Sequence, residues 1–165
     1  MGTVGRGTAV SWQEAETTKR TTSGGLFMHP MTMQTSKRLE IHDLTEQVGS
    51  LVRDSGVLSG LVTVSTLHTT TAVFVNEPQT ALLDDIEEML ERLVPRGEEW
   101  KHNDPRFSDC DRQNADSHLR AIMLGNSVTL QITDSGLLLG EWQRILFVEL
   151  DGPRKRNLSI QILAA

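Results

Sequence analysis

Apolar residues recur at helical spacing in three parts of the chain. From Thr80 to Val94 they occupy one face, five acidic residues occupy the other, and Pro95 ends the pattern. A second apolar stripe follows Asp43, which is placed to cap a helix that stops near Gly56. The segment Ala115 to Leu124 predicts a short third helix, with Gly125 at its end.

Runs rich in β-branched residues predict the strands. Thr35 to Ile41 alternates between apolar and polar positions, and Gly60 to Val75 indicates two strands or one long bent strand. Four further strand-like runs complete the chain: Ser127–Thr133, Gly136–Leu139, Arg144–Leu150 and Asn157–Leu163. Short turns between consecutive runs favour antiparallel neighbours. We therefore expect an α+β fold, with an antiparallel-rich β-sheet or sandwich and helices packed on one side.

The beginning of the chain differs in composition from the rest. Residues 1–30 are rich in Gly, Thr and Ser and carry little periodic apolar sequence. This composition predicts a flexible N-terminal extension, followed by a single domain at residues 31–165.

Charge and cysteine content narrow the class of partner. The net charge of −6 argues against binding to nucleic acid or to an anionic membrane, both of which require a surplus of Lys and Arg. No apolar run approaches the roughly 18 residues of a membrane-spanning helix. The single cysteine, Cys110, excludes an intrachain disulfide and suits a reducing compartment. These features predict a cytoplasmic protein with no nucleic-acid or membrane partner.

Three of the five histidines stand where imidazole could act chemically. His68 lies in a Val- and Thr-rich strand region, His102 opens a polar loop, and His118 lies in the first turns of the third helix. Three imidazoles would bind a divalent cation and leave one position open for chemistry. Their spacing matches no local metal-binding motif, so unrelated core or surface histidines are the alternative.

Two carboxylates and an amide are candidates for acid–base chemistry or substrate positioning. Asn76 and Glu77 stand at a strand-to-helix junction, where Glu77 could act as a general base or stabilise the helix N-terminus. Glu149 ends an apolar strand and requires a partner if it is buried.

A basic cluster follows the last of these carboxylates. Arg154, Lys155 and Arg156 could clamp a phosphate, because guanidinium groups match its geometry; a charged hairpin loop is the alternative. Trp142 and Gln143 interrupt two strands, where Trp142 could line a ligand pocket or belong to the core.

Six segments, in this order, resemble the YjbQ family, whose members are often called secondary thiamine-phosphate synthases. They are LHTTTAVFVNE (67–77), ERLVP (91–95), WKH (100–102), NADSHLRAIMLG (114–125), LLLGEWQ (137–143) and VELDGPRKR (148–156). The resemblance covers about residues 31–163. It departs from the family pattern at Glu141, where threonine is common; a carboxylate there could bind metal or repel an incoming phosphate.

The resemblance implies a compact α+β fold that forms a homotrimer, with sites near the subunit boundaries. It matches His68, His102 and His118 to the recurring histidines of the family, which are associated with a divalent metal. We expect zinc, with magnesium or manganese as alternatives.

The resemblance also implies an enzyme that acts on small phosphorylated metabolites, with weak thiamine-phosphate synthase activity. That transferase reaction joins a pyrimidine pyrophosphate to a thiazole phosphate and releases pyrophosphate. The alternative is a homotrimer that binds a metal or small ligand without catalysis. The candidate catalytic residues are Glu77, Glu149 and Asn76. The candidate substrate- or phosphate-binding residues are Arg154, Arg156, Arg144, Thr70, Trp142 and Gln143.

Overall fold

The computed structural model describes residues 12–13 and 25–165, and this part of the chain forms an α+β fold. Its elements are β1 (Trp12–Gln13), β2 (Leu26–Gln34), β3 (Glu40–Asp43), α1 (Thr45–Ser55), β4 (Ser59–Thr66), β5 (Thr71–Asn76), α2 (Thr80–Leu93), α3 (Ala115–Leu124), β6 (Ser127–Thr133), β7 (Gly136–Leu137), β8 (Arg144–Glu149) and β9 (Lys155–Ala164). A single 3₁₀ turn, Lys101–Asn103, interrupts the long polar loop between α2 and α3.

The strands form two antiparallel sheets. The larger sheet has the order β1-β2-β9-β4-β6-β7, and the smaller has the order β3-β8-β5. Each pairing is antiparallel, as the short connections predicted. The expected α+β class and its antiparallel strands are thus confirmed.

Two apolar cores hold the layers together. The first core joins the two sheets, with Val62 and Ile160 from the larger sheet meeting Phe147 from the smaller, and α1 adding Val48. The second core lies on the other face of the smaller sheet, where Val148 packs with residues of α2 and α3. The central strand β8 is therefore covered on both faces, which explains its nearly continuous run of apolar residues.

The helices that local pattern predicted most clearly occupy the expected residues. Helix α2 buries Ile86 and Leu90 and begins where the side chain of Gln79 accepts a hydrogen bond from the Leu82 amide. Helix α1 ends at Gly56, whose φ of 73° is readily adopted by glycine. No helix in the part of the chain that the structure describes is long and apolar enough to cross a membrane.

Two boundaries differ from the sequence-based expectation. Strand β2 begins at Leu26, so residues 26–30 belong to the larger sheet and not to a preceding extension. The expected extension otherwise falls on residues 1–11 and 14–24, which lie outside the described residues, and on the short strand β1.

The strand expected at Thr35–Ile41 begins only at Glu40. Thr35 is not part of that strand. Its amide donates to the backbone carbonyl of Arg154, and its hydroxyl contacts the same carbonyl and the Glu149 carboxylate. Asp43 lies one position too early to cap α1; its Oδ1 accepts a hydrogen bond from the Thr45 amide, and Leu44 takes the cap position.

Candidate functional site

An open cleft of about 410 Å³ lies between the β4–β5 turn and helix α3. His68 and Thr69 enter it from the turn, and His118 enters it from the first turns of the helix. Its remaining lining is mostly small or apolar: Thr71, Ala121, Ile122, Gly125 and Asn126. Residues 50 positions apart in sequence therefore meet at one surface depression, which brings together two of the three histidines of the hypothesis.

His118, which lines the cleft, contacts the imidazole of His102, which lies outside the lining. Their ring centroids are 5.1 Å apart and the rings are nearly perpendicular. The Nε2 atom of His102 is buried and has no hydrogen-bond partner in the described structure. Burial lowers the pKa of His118, and His102 lowers it further, while Asp151, Asp116 and the Thr69 backbone oppose the change. His118 therefore favours the neutral form that metal ligation and proton acceptance both need.

His68 is brought to the same cleft but is engaged by the backbone. Its Nε2 accepts a hydrogen bond of 2.8 Å from the amide of Asn157. Burial lowers the pKa of His68, Arg156 lowers it further, and Glu149 opposes them. A neutral imidazole that accepts at Nε2 carries its proton on Nδ1, so neither ring nitrogen offers a free lone pair in this arrangement.

The three histidines do not fit a metal ion equally well. His102 and His118 fit as two ligands, since one presents an orphaned nitrogen and the other is biased toward the neutral form. His68 would first have to release the Asn157 amide. Across residues 12–13 and 25–165, no group of three or more His, Cys, Asp or Glu side chains is arranged to hold a metal ion.

Glu149 and Arg156 are partners of each other and not exposed reactive groups. Glu149 has no exposed surface and Arg156 is 2% exposed. The guanidinium donates from Nε at 2.6 Å and from Nη2 at 2.5 Å to the two carboxylate oxygens. Thr35 and the Asp151 amide donate to the same carboxylate, and Arg156 also donates to the buried hydroxyl of Thr70. Arg156 and Thr70 are therefore not accessible to a phosphate, and Glu149 is not free to act as a base.

Arg154 belongs to a second cluster, centred on the buried carboxylate of Asp151. Three arginines pair with this carboxylate: Arg38 at 3.1 Å, Arg112 at 3.0 Å and Arg154 at 2.8 Å. The side-chain amide of Asn114 also donates to it at 2.8 Å. Of the arginines that the sequence proposed for phosphate binding, Arg154 and Arg144 keep partly exposed side chains, at 30% and 34% exposure.

Asp116 ties this cluster to helix α3. Its fully buried carboxylate accepts two hydrogen bonds from Nη2 of Arg38, at 3.0 and 3.1 Å. Asp116 stands two residues before His118, and both Asp116 and Asp151 raise the pKa of that imidazole. The arginine cluster and the histidine cleft are thus electrostatically coupled neighbours.

The other predicted site residues lie at the opposite end of the smaller sheet. Thr71 pairs with Glu149 at the histidine end of β5 and β8, whereas Asn76 pairs with Arg144 at the other end. Five residue-to-residue steps of extended strand separate these ends, a distance of about 17 Å. Arg144 donates to Asp43 at 2.8 Å, so its guanidinium is held beside the start of α1.

Glu77, Trp142 and Gln143 lie toward this distant end as well. Glu77 directly follows β5 and is half-buried. Trp142 is 64% exposed, so it is not part of the core. Its neighbours Gln143 and Glu141, the residue that departs from the family pattern, are also exposed. Within one chain, these residues and the histidines do not form a single site.

Comparison with known proteins decides the family. The sequence model of the family described as "UPF0047 protein YjbQ-like" matches residues 29–165. The chain belongs to the YjbQ family. A UPF0047 protein of Archaeoglobus fulgidus is 47% identical over 133 residues, covering 81% of this chain and 98% of that protein. A UPF0047 protein of Methanothermobacter thermautotrophicus is 41% identical, covering 84% of this chain and 95% of that protein.

Solved structures of YjbQ-like proteins share the fold. A YbjQ-like protein of unknown function from Sulfolobus solfataricus superimposes with a TM-score of 0.78 at 32% identity, covering 85% of this chain and 98% of that one. A hypothetical protein from Aeropyrum pernix gives a TM-score of 0.76 at 38% identity, covering 84% and 98%. These relatives establish the YjbQ fold and family of the chain.

The site also contains residues that sequence reasoning missed. Arg38, Arg112 and Asp151 were not singled out, because 113 positions separate Arg38 from its partner Asp151. One local pattern could have indicated the pairing of Asp151 with Arg154. The two residues flank Gly-Pro in the last YjbQ-like segment, where a tight turn brings them together.

Proposed function

We propose that this chain is a metal-binding enzyme that acts on small phosphorylated metabolites at the cleft between the β4–β5 turn and α3. The contacting pair of His102 and His118 carries the proposal, because it places an orphaned imidazole nitrogen beside a neutral-biased imidazole. The coupled arginine cluster supports a phosphorylated ligand, since guanidinium groups recognise phosphate.

His102 and His118 would hold the divalent cation, zinc first and magnesium or manganese as alternatives. A bound cation would supply positive charge that stabilises a phosphate or pyrophosphate group in the transition state. His68 keeps a protonated Nδ1 as its donor toward a ligand, because its Nε2 binds the Asn157 amide. Arg154 would orient the phosphate group.

Thiamine-phosphate synthase activity is the specific reaction that we propose for this cleft. The reaction needs the thiazole nitrogen aligned with the pyrimidine methylene carbon and the departing pyrophosphate stabilised. Positioning and electrostatic stabilisation supply both requirements without a nucleophilic side chain.

Measuring the zinc content of variants tests whether His102 and His118 bind the metal and His68 does not. We expect the purified protein to bind zinc stoichiometrically and to lose it in His102→Ala and in His118→Ala. His68→Gln is the matched control and should retain the metal. Equal metal content in all four proteins would contradict the metal site. Absence of synthase turnover with zinc, manganese or magnesium, with no effect of His118→Ala, would reject the synthase assignment.

A ligand-binding protein without catalysis is the second candidate. The commitment of Glu149 to Arg156 favours it, because this removes the buried carboxylate as a general base. A metal that keeps water or an anion in its coordination shell supports the enzyme, whereas four protein ligands support the binding protein.

We also propose that the chain forms a homotrimer in which neighbouring copies bring the two groups of site residues together. Leu138 and Trp142 are more than half exposed in the segment between β7 and β8; Ile122, which lines the cleft, and Met123, which follows it on α3, are exposed as well. Light scattering should give the mass of three chains. A Trp142→Ser variant should dissociate, and a monomeric wild-type protein would exclude the trimer.

A further inference from the structure

Asp151 anchors more guanidinium groups than one carboxylate can neutralise. Its Oδ2 atom accepts from Arg112, Asn114 and Arg154, and its Oδ1 accepts from Arg38. Asp151 is 1% exposed, whereas the side chains of Arg112 and Arg154 are 52% and 30% exposed. The carboxylate therefore lies beneath two arginines that reach solvent.

These two arginines retain unused hydrogen-bond donors. Arg112 directs Nε and Nη2 at Asp151, and no hydrogen bond from its Nη1 is found among the described residues. Arg154 contacts Asp151 through Nη2 alone, and its buried Nε has no partner in the described structure. Because this Nε is buried, the donors that Arg154 can offer to a ligand are those of its Nη atoms, at the end of a side chain that is 30% exposed.

The arrangement is fixed before any ligand arrives. Arg38 bridges Asp151 to Asp116 and also donates to Ser117, which ties the cluster to α3. Pre-positioned guanidinium groups lose little further side-chain entropy when they bind an anion. The exposed Asp109 and Asp111 precede Arg112 in the chain and make no ion pair with it in the described structure.

We infer that Arg112 and Arg154, fixed on Asp151, form a binding site for the phosphate group of a small anionic ligand. A phosphate oxygen would accept from Nη1 of Arg154, for which no hydrogen bond is found among the described residues, and a second oxygen would accept from Nη1 of Arg112. Two guanidinium groups match a dianionic phosphate better than a monocarboxylate, because they offer several donors and because Arg38, Arg112 and Arg154 share only the carboxylates of Asp151 and Asp116, which leaves a net positive charge. Arg38 acts as a positioning residue through Asp151.

This inference deepens the proposed function and rests on it for the class of ligand. The site lies near His118, because Arg38 of the same cluster donates to Asp116 and Ser117, which directly precede His118 on α3. A ligand with its phosphate on the arginines could therefore extend its other part toward the histidine cleft.

Calorimetric titration of the full-length protein with inorganic phosphate tests the site. We expect Arg112→Gln and Arg154→Gln each to weaken phosphate binding by at least about tenfold, the loss of one charge-assisted hydrogen bond. Arg112→Lys keeps the charge but loses the planar fork, so it should fall between Arg112→Gln and the wild type. Arg92→Gln is the matched control, because Arg92 is an exposed arginine paired with Glu88 on α2.

The outcomes distinguish this site from the proposed function. Undetectable phosphate binding by the wild type, or wild-type affinity in both glutamine variants, overturns the inference. An equal loss in Arg92→Gln also overturns it, since that shows a general charge effect. Metal content, measured in the same preparations, should be unchanged in the arginine variants and reports separately on His102 and His118.

Discussion

Replacing Arg156 by methionine should lower the free energy of unfolding by about 3–5 kcal/mol, because it leaves a carboxylate buried without its counter-charge. Glu149 has no exposed surface, and Arg156 supplies two of its hydrogen bonds. Thr35 and the Asp151 amide would remain as its donors, and both are neutral. For a chain of this size, the loss corresponds to about 6–20 °C in Tm.

Urea unfolding followed by tryptophan fluorescence measures this change, since the chain contains three tryptophans. Arg92→Met removes an exposed ion pair with Glu88 and should cost less than about 1 kcal/mol, which makes it the control. The double variant Glu149→Leu, Arg156→Met should recover most of the loss, because no unpaired charge remains. A loss below about 1 kcal/mol in Arg156→Met would refute the assignment of this pair to structure.

Three further predictions concern local contacts. Gly152→Ala should destabilise the protein by about 1–3 kcal/mol in the same urea assay, because its Cβ would lie 2.2 Å from a backbone carbonyl; Gly97→Ala, with nothing within 4 Å, should be neutral. The pKa of His118, measured by NMR titration, should lie below 6.5 in the folded protein. The unfolded chain then binds a proton at a higher pH than the folded protein does, so the free energy of unfolding should fall as the pH drops below 6.5. A titration midpoint above 6.5 would contradict this. Asp43→Ala should cost about 1 kcal/mol in thermal unfolding, because it removes the acceptor of the Thr45 amide and the partner of Arg144, and an unchanged Tm would argue against a stabilising role for both contacts.

Local patterns predicted the elements that depend on local forces. Helix α3 occupies the predicted residues, and α2 ends one residue before the predicted limit, because apolar spacing and terminal residues act within a few turns. The strand at Thr35 was mistaken, since alternation cannot show that its hydroxyl will be drawn to Glu149. Division of the strands into two sheets also depends on pairings between distant segments.

The candidate site could be predicted from the sequence only in part. His68 and His118 do meet at one cleft. The sequence suggested a catalytic role for Glu149 and a phosphate-binding role for Arg156. In the structure, a turn brings these two residues together, and their charges neutralise each other. A sequence shows which groups can ionise, whereas the fold decides which of them are paired.

Diffraction at the zinc absorption edge, from crystals grown with zinc, tests the central claim most directly. The account predicts an anomalous peak at coordination distance, about 2.0–2.1 Å, from Nε2 of His102 and from a ring nitrogen of His118. A zinc peak elsewhere, with this imidazole pair left unliganded, would contradict it.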